Sequence, residues 1–228
     1  MAISLRYHGH ANLEILSGPH TIQIDPFYTS NPLCDVPAAA AKPNFILISH
    51  AHSDHLGDAE TIAKRTAAIV IANHEIAVYL AGRGVKNTHG MNTGGGFAFP
   101  FGRVSLTDAL HTSSFPDGSY GGQANGFIIE TGGQTIYFAG DTALFGDMAL
   151  LGRLWKIDLA VLPIGDNYTM GPSHALEAIN MLKPRLILPI HVNTFPVIQQ
   201  DVAGFAAAVK KQTSAQPILL QPGESFEF

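Results

Sequence analysis

The chain has 228 residues, 46% of them hydrophobic, a formal net charge of −5 and a single cysteine. That is enough apolar material for one sizeable core and predicts one domain over 1–228. No apolar run approaches the roughly 18 residues of a membrane span, the start lacks the basic and apolar regions of a secretory signal, and a lone Cys34 excludes an internal disulfide framework, so a cytoplasmic protein without a membrane partner is expected.

In chain order, apolar or alternating runs predict strands near 3–7, 12–16, 21–25, 44–48, 68–72, 103–109, 126–131, 135–139, 158–162, 185–190 and 217–220. Apolar residues spaced by three and four predict helices over about 56–65, 74–82, 143–153, 173–182 and 201–212. Pro172-Ser173 marks the start of one helix and Asp201 the start of another. Gly94-Gly95-Gly96 lacks the strand and helix context of a phosphate-binding loop and reads as a turn. Hairpin-like runs mixed with strand–helix alternation predict an α/β fold, with two mixed sheets face to face and helices outside.

The stretch from His50 through Ala51, His52, Ser53 and Asp54 to His55 holds four metal-ligating side chains directly after the apolar run Ile46-Leu47-Ile48. A lone histidine at a strand end is more often a surface or capping residue than a ligand, but four ligand types in this order point to a metal site. His50 and His52 alternate as on an extended chain, so both imidazoles can face one cation. Asp54 and His55 follow the turn toward a helix and can face a second. Two-metal hydrolases hold their ions about 3.5–4 Å apart, which requires such a compact cluster. Three more ligand-type residues close strand-like runs: His111, Asp141 and His191. Active sites of sheet-based folds gather at strand ends, so these complete the candidate set.

These residues resemble the metallo-β-lactamase-fold hydrolases. His50, His52, Asp54 and His55 match that superfamily's H-x-H-x-D-H signature, His111 its third histidine, Asp141 its bridging carboxylate within Ala139-Gly140-Asp141-Thr142, and His191 its final histidine. The opening Tyr7-His8-Gly9-His10-Ala11, then Ile24-Asp25-Pro26, and the segment 163–172 resemble its short metal-dependent hydrolases. Those are similar to ascorbate-6-phosphate lactonases and, more distantly, to N-acylphosphatidylethanolamine phospholipase D. The resemblance covers nearly the whole chain. It implies a four-layer αββα sandwich, one ion held by His50, His52 and His111, a second by Asp54, His55 and His191, and Asp141 between them. True β-lactamases use other second-site ligands, often including a cysteine. Cys34 lies in an early loop, so antibiotic hydrolysis is not expected.

The reading is metal-assisted hydrolysis, in which a shared water is activated by two divalent ions, zinc first with nickel, manganese or iron as alternatives. Asp54 and Asp141 are the catalytic carboxylates, Asp54 also accepting the proton of that water. The expected substrate is a small anionic or neutral molecule bearing a lactone, ester or phosphodiester. Lys and Arg are scattered rather than massed, so no nucleic-acid partner is expected. Asp25 is read either as the acceptor that fixes a ligand histidine's tautomer or as a turn-forming Asp-Pro. His10 is either a substrate contact or structural, and His174 either a substrate contact or an exposed helix-end residue. Residues 112–125 are either a mobile connection or a lid touching substrate through Phe115 and Tyr120. His20, His74 and His89 read as surface residues. Two rivals remain: a nuclease of the same superfamily, which would need a basic arm, and a non-catalytic module with a closed metal site.

Overall fold

The computed structural model describes residues 3–34 and 36–228. The first half of the chain supplies strands β1 (Ile3–Tyr7), β2 (Leu13–Ser17), β3 (His20–Ile24), β4 (Phe45–Leu47), β5 (Ile69–Asn73) and β6 (Thr88–Met91). The second half supplies β7 (Gly96–Phe99), β8 (Gly102–Asp108), β9 (Asn125–Thr131), β10 (Gln134–Phe138), β11 (Leu159–Pro163), β12 (Leu186–Ile190) and β13 (Gln216–Pro217), and β14 (Ser225–Glu227) returns to the first sheet. The two seven-stranded sheets run β14-β1-β2-β3-β4-β5-β6 and β13-β12-β11-β10-β9-β8-β7. Each is antiparallel up to β3 or β10 and parallel beyond it.

Parallel neighbours need crossovers; a loop with one 3-10 turn at Ala38–Ala40 makes that from β3 to β4, and α-helices make the others. α1 (Ser53–Leu56) and α2 (Ala59–Thr66) join β4 to β5, and α3 (His74–Gly82) joins β5 to β6. In the other sheet, α4 (Met148–Leu154), α5 (Pro172–Leu182) and α6 (Val202–Gln212) make the three crossovers from β10 to β13. The period-2 alternation of strands then assigns side chains to layers. Ile22, Ile24, Leu47, Phe127, Phe138 and Leu188 meet between the sheets. Ile46, Ile48 and Val70 point the other way, against Ile62, Ile76 and Leu80 of α2 and α3. Tyr137, Leu162 and Ile187 are covered by Met148, Ile179 and Phe205 of α4, α5 and α6. The result is the αββα sandwich. No helix among the described residues is long and apolar enough to cross a membrane.

The local signals explain where the expected elements shifted. Asp201 caps α6 by accepting the Gly204 N–H at 2.9 Å, and Pro172 opens α5 where a missing N–H costs nothing. The helix expected over 56–65 splits at Gly57, whose φ of +44° is not helical. The one expected from 143 starts at Met148, because Ala143 N–H is bonded to Leu110 C=O at 3.1 Å and holds the preceding loop. The strand expected over 217–220 is reduced to Gln216–Pro217. The strands β6, β7 and β14 were not foreseen. β7 is an exposed edge whose Phe97 is half in solvent, and it lacks the inward apolar alternation of a core strand.

A Cβ on Gly57 would lie 2.4 Å from the Pro26 carbonyl oxygen. Gly57→Ala is therefore expected to cost about 1–3 kcal/mol of unfolding free energy, seen as an earlier urea midpoint at unchanged slope. Gly82→Ala, at a helical position with nothing within 4 Å of the new Cβ, should leave stability unchanged or raise it by up to about 1 kcal/mol.

Candidate metal centre

Strand direction decides which residues can meet. β1 and β3 both run antiparallel to β2, and β4 runs parallel to β3. The C-terminal ends of β1, β3 and β4 therefore share one edge of the first sheet, placing His10, Asp25 and the segment His50–His55 together. In the second sheet β8 and β10 both oppose β9, while β11 and β12 run parallel to β10. His111, Asp141 and His191, just past β8, β10 and β12, gather in the same way. The two edges are tied across the interface: Asn125 N–H donates to Ser49 C=O at 3.0 Å, and His191 N–H donates to His10 C=O at 2.8 Å.

The seven expected ligand residues are all in this cluster. One metal-compatible group is His50, His52 and His111; a second is His10, Asp54, His55 and His191; a third is His50, His55 and Asp141. Within each, one ligand atom per residue lies within 4.8 Å of the others. Asp141 Oδ2 is 3.0 Å from His191 Nε2, 3.3 Å from His55 Nε2 and 3.7 Å from His111 Nε2. A single carboxylate oxygen thus reaches histidines of the first two groups.

Hydrogen bonding behind the cluster fixes the rings. The buried carboxylate of Asp25 accepts the Ser49 N–H at 2.8 Å, the Ser49 hydroxyl at 2.6 Å and His55 Nδ1–H at 2.7 Å. With its proton committed to Asp25, Ser49 Oγ accepts from His50 Nδ1 at 3.0 Å. The neutral rings of His55 and His50 therefore carry lone pairs on Nε2. His55 Nε2, His191 Nε2 and Asp141 Oδ1 are buried without a hydrogen-bond partner among the described residues. Lone pairs face carboxylate oxygens here, and only a proton or a cation between them makes that arrangement favourable. The donor set of imidazoles and carboxylates fits divalent transition metals.

Without a metal, protons take that place. Burial by itself would lower His191 and His55, but Asp141 and its neighbouring carboxylates outweigh it, raising His191 to about 9 and His55 well above the ordinary value. Burial would likewise raise Asp54 and Asp141, but the surrounding histidines hold both below the usual carboxylate range. Burial pushes His50, His52 and His111 down. His10, Asp25 and His191 have φ of +60°, +44° and +51°. Non-glycine residues in this left-handed region carry roughly 1–3 kcal/mol of strain each, so the surrounding bonds hold the backbone in place.

Beside Asp54 and His191 opens a cavity of about 750 Å³, walled by Phe27, Phe195, Val197 and Tyr168, by Thr29, Ser30 and Ser53, and by Asp58.

Residues 20–192 match the profile of the family described as Beta-lactamase superfamily domain. The chain belongs to the β-lactamase superfamily. Within the superfamily it is similar to a UPF0173 metal-dependent hydrolase of Pelotomaculum thermopropionicum, 49% identical over 223 residues, covering 96% of this chain and 97% of the relative. A UPF0173 metal-dependent hydrolase of Enterococcus faecalis is 50% identical over 222 residues, 96% of each chain. The solved structure of Igni18, a metallo hydrolase from Ignicoccus hospitalis, matches with a TM-score of 0.91 at 36% identity over 100% of this chain and 99% of that one. This β-lactamase-superfamily protein is a metal-dependent hydrolase.

The remaining expected residues of the hydrolase divide sharply. His10 is fully buried, with Nδ1 2.9 Å from Thr194 Oγ1 and Nε2 donating to Asp54 Oδ2 at 3.1 Å. The ring does not line the cavity and lies against Asp54 from behind. Asp25 touches His55 directly, as described. His174 is exposed on the first turn of α5 and belongs to none of the three groups. Residues 112–125, read as a mobile connection or a lid, do not line the cavity. Phe115 is buried, stacked on Tyr79 with ring centroids 3.7 Å apart, and Tyr120 is mostly in solvent, bridged to Ser114. The loop is pinned where Gly121 passes Ala51 so closely that a Cβ would lie 2.3 Å from that of Ala51, and where Asn73 donates to the Gly121 and Gln123 carbonyls at 2.9 Å. His20 and His89 are half-buried, His89 against Phe97, and His74 is exposed. Ser49, Thr194 and the walls Phe27 and Phe195 were missed by sequence reasoning. The only signal was adjacency to His50, His191 or Asp25.

These charges predict a pH dependence for the metal-stripped protein. An unfolded histidine releases its proton near 6.5, whereas folded His191 holds it to about 9, so that stabilisation is full below about 6.5 and lost as pH rises through 9. Below about 6.5 the sign reverses, because burial pushes His10 down to about 4 and the unfolded chain binds more protons there. Thermal melts of stripped protein should peak near pH 6.5 and fall toward pH 9. Metal-loaded protein, with a cation in place of the proton, should not show that fall.

Proposed function

We propose that this metal-dependent hydrolase is dinuclear, works as one catalytic domain over the whole chain, and cleaves a small molecule bearing a lactone, ester or phosphodiester. The observation that carries the reading is the single oxygen of Asp141 within 3.0–3.7 Å of His191, His55 and His111. His50, His52 and His111 would hold one ion, and Asp54, His55 and His191 the other, with Asp141 between them. When bound, two divalent ions such as zinc, nickel, manganese or iron supply a water of lowered pKa and polarisation of the oxygen under attack.

The residues of the chain do the rest. Asp25 and Ser49 present the lone pairs of His55 and His50 by holding their other ring nitrogens. His10 takes up Asp54 Oδ2, while Oδ1 has no hydrogen bond among the described residues, in a side chain that lines the cavity. That oxygen is placed to accept the proton of the attacking water. The opening beside Asp54 favours catalysis over a closed metal-binding module. The nuclease reading is disfavoured because no Lys or Arg among the described residues lines the cavity.

Elemental analysis of metal-replete protein should find about two transition-metal ions per chain; at most one would contradict a dinuclear centre. Asp141→Asn keeps size but removes the charge, so it should weaken metal retention by about 10-fold or more and abolish turnover in a screen of lactones, esters and phosphodiesters, with the fold retained by circular dichroism. Two retained ions and near-normal turnover in that variant would refute the role given to Asp141.

A further inference from the structure

The cations of this chain avoid the site entirely. All 13 Lys and Arg residues lie at positions 6, 42, 64, 65, 83, 86, 103, 153, 156, 183, 185, 210 and 211. The intervening runs 7–41, 43–63, 104–152, 157–182 and 186–209 carry none, and they supply every residue of the metal cluster and every wall of the adjoining cavity.

Beyond Asp54 and His191 the walls are apolar, hydroxylic at Thr29, Ser30 and Ser53, or acidic, and no Lys or Arg is among them. Phe27 and Phe195 stand edge-on to the buried His10 ring, at centroid distances of 5.6 and 5.7 Å, so the imidazole that braces Asp54 also sets these two walls. Tyr168 and Val197 stand half-exposed in the same lining. The one further carboxylate in the wall is Asp58. Its carboxylate accepts the Tyr28 and Thr29 N–H groups at 3.1 and 2.8 Å and the Thr29 hydroxyl at 2.7 Å. The two backbone N–H groups and the Thr29 hydroxyl are thus withheld from a substrate anion by this acid, leaving neutral hydroxyls as the remaining donors of the wall.

We infer that the cavity selects an uncharged, apolar arm on the substrate, so that the molecule hydrolysed carries no second anionic group beyond its reacting bond. The inference rests on the hydrolytic reading above and narrows its substrate class. An anionic arm, such as the phosphate of a phosphorylated lactone, would lose water against Phe27 and Phe195, gain no counter-charge, and face Asp58. An alkyl or aromatic arm gains from the same walls in proportion to the apolar area it buries.

Hexanohydroxamate and its ω-carboxylate counterpart share one metal-chelating head and differ only in the arm. Calorimetric titration of metal-loaded protein should find the neutral compound bound roughly 10-fold tighter or more. Val197→Lys, at an exposed wall position, should shrink that ratio several-fold with metal content unchanged by elemental analysis. Equal or reversed affinities in the native protein, or an unaltered ratio in the variant, would overturn the inference. Turnover of p-nitrophenyl butyrate and p-nitrophenyl hydrogen succinate is measured alongside. Preference for the butyrate supports the inference and preference for the succinate overturns it. Discrimination between the hydroxamates without cleavage of either ester would uphold the cavity assignment while removing the ester reading on which the substrate class rests.

Discussion

Three carboxylates, those of Asp25, Asp54 and Asp141, stand at the joined edges of the two sheets, and Asp25 and Asp141 are almost wholly out of water. An unpaired buried carboxylate costs several kcal/mol even after relaxation, so this edge folds only if positive charge or strong donors surround it. Histidine suits both states of the site. Protonated, it neutralises the carboxylates of the metal-free protein; neutral, it offers the lone pairs that hold a cation. The raised His191 and depressed Asp54 are two faces of that one constraint.

The constraint reaches into the fold because neither sheet holds the cluster alone. His50, His55 and Asp25 follow strands of the first sheet, and His111, Asp141 and His191 follow strands of the second. The edges are fastened by Asn125 to Ser49, His191 to His10, and Ala51 N–H to Ser113 Oγ at 3.1 Å. The third of these explains why the glycine-rich 112–125 loop is held down: its close pass over Ala51 fixes the backbone between His50 and His52. Packing of the inter-sheet core and geometry of the metal cluster are thus one cooperative structure, and strained φ values at His10, Asp25 and His191 are supported by it.

Igni18 shows the same architecture at a TM-score of 0.91 with 36% identity, so much of the sequence can vary while the course of the strands stays in place. The cavity walls come from loops and short helical turns after β3, β4, β11 and β12, not from the strands themselves. That is where a shared hydrolytic centre can be given different substrates.

What the sequence determined by itself was local and periodic. The alternating runs located most strands, Pro172 and Asp201 marked two helix starts, and the H-x-H-x-D-H spacing singled out a ligand cluster because a strand end followed by one helical turn can aim four such side chains at one place. Tertiary structure alone decided the rest. The exposed edge β7 has no buried face and so no inward apolar signal. His10 reads as either a substrate contact or a structural residue until the pairing of β1 with β2 and of β2 with β3 brings it behind Asp54. Asp25 is one Asp-Pro among several turn candidates until the parallel pairing of β3 with β4 seats it under Ser49 and His55. Phe115 looked available to substrate in a glycine-rich loop, yet stacking on Tyr79 buries it. Each of these outcomes depends on contacts between segments distant in the chain, set by strand direction and register, which no local pattern of residues encodes.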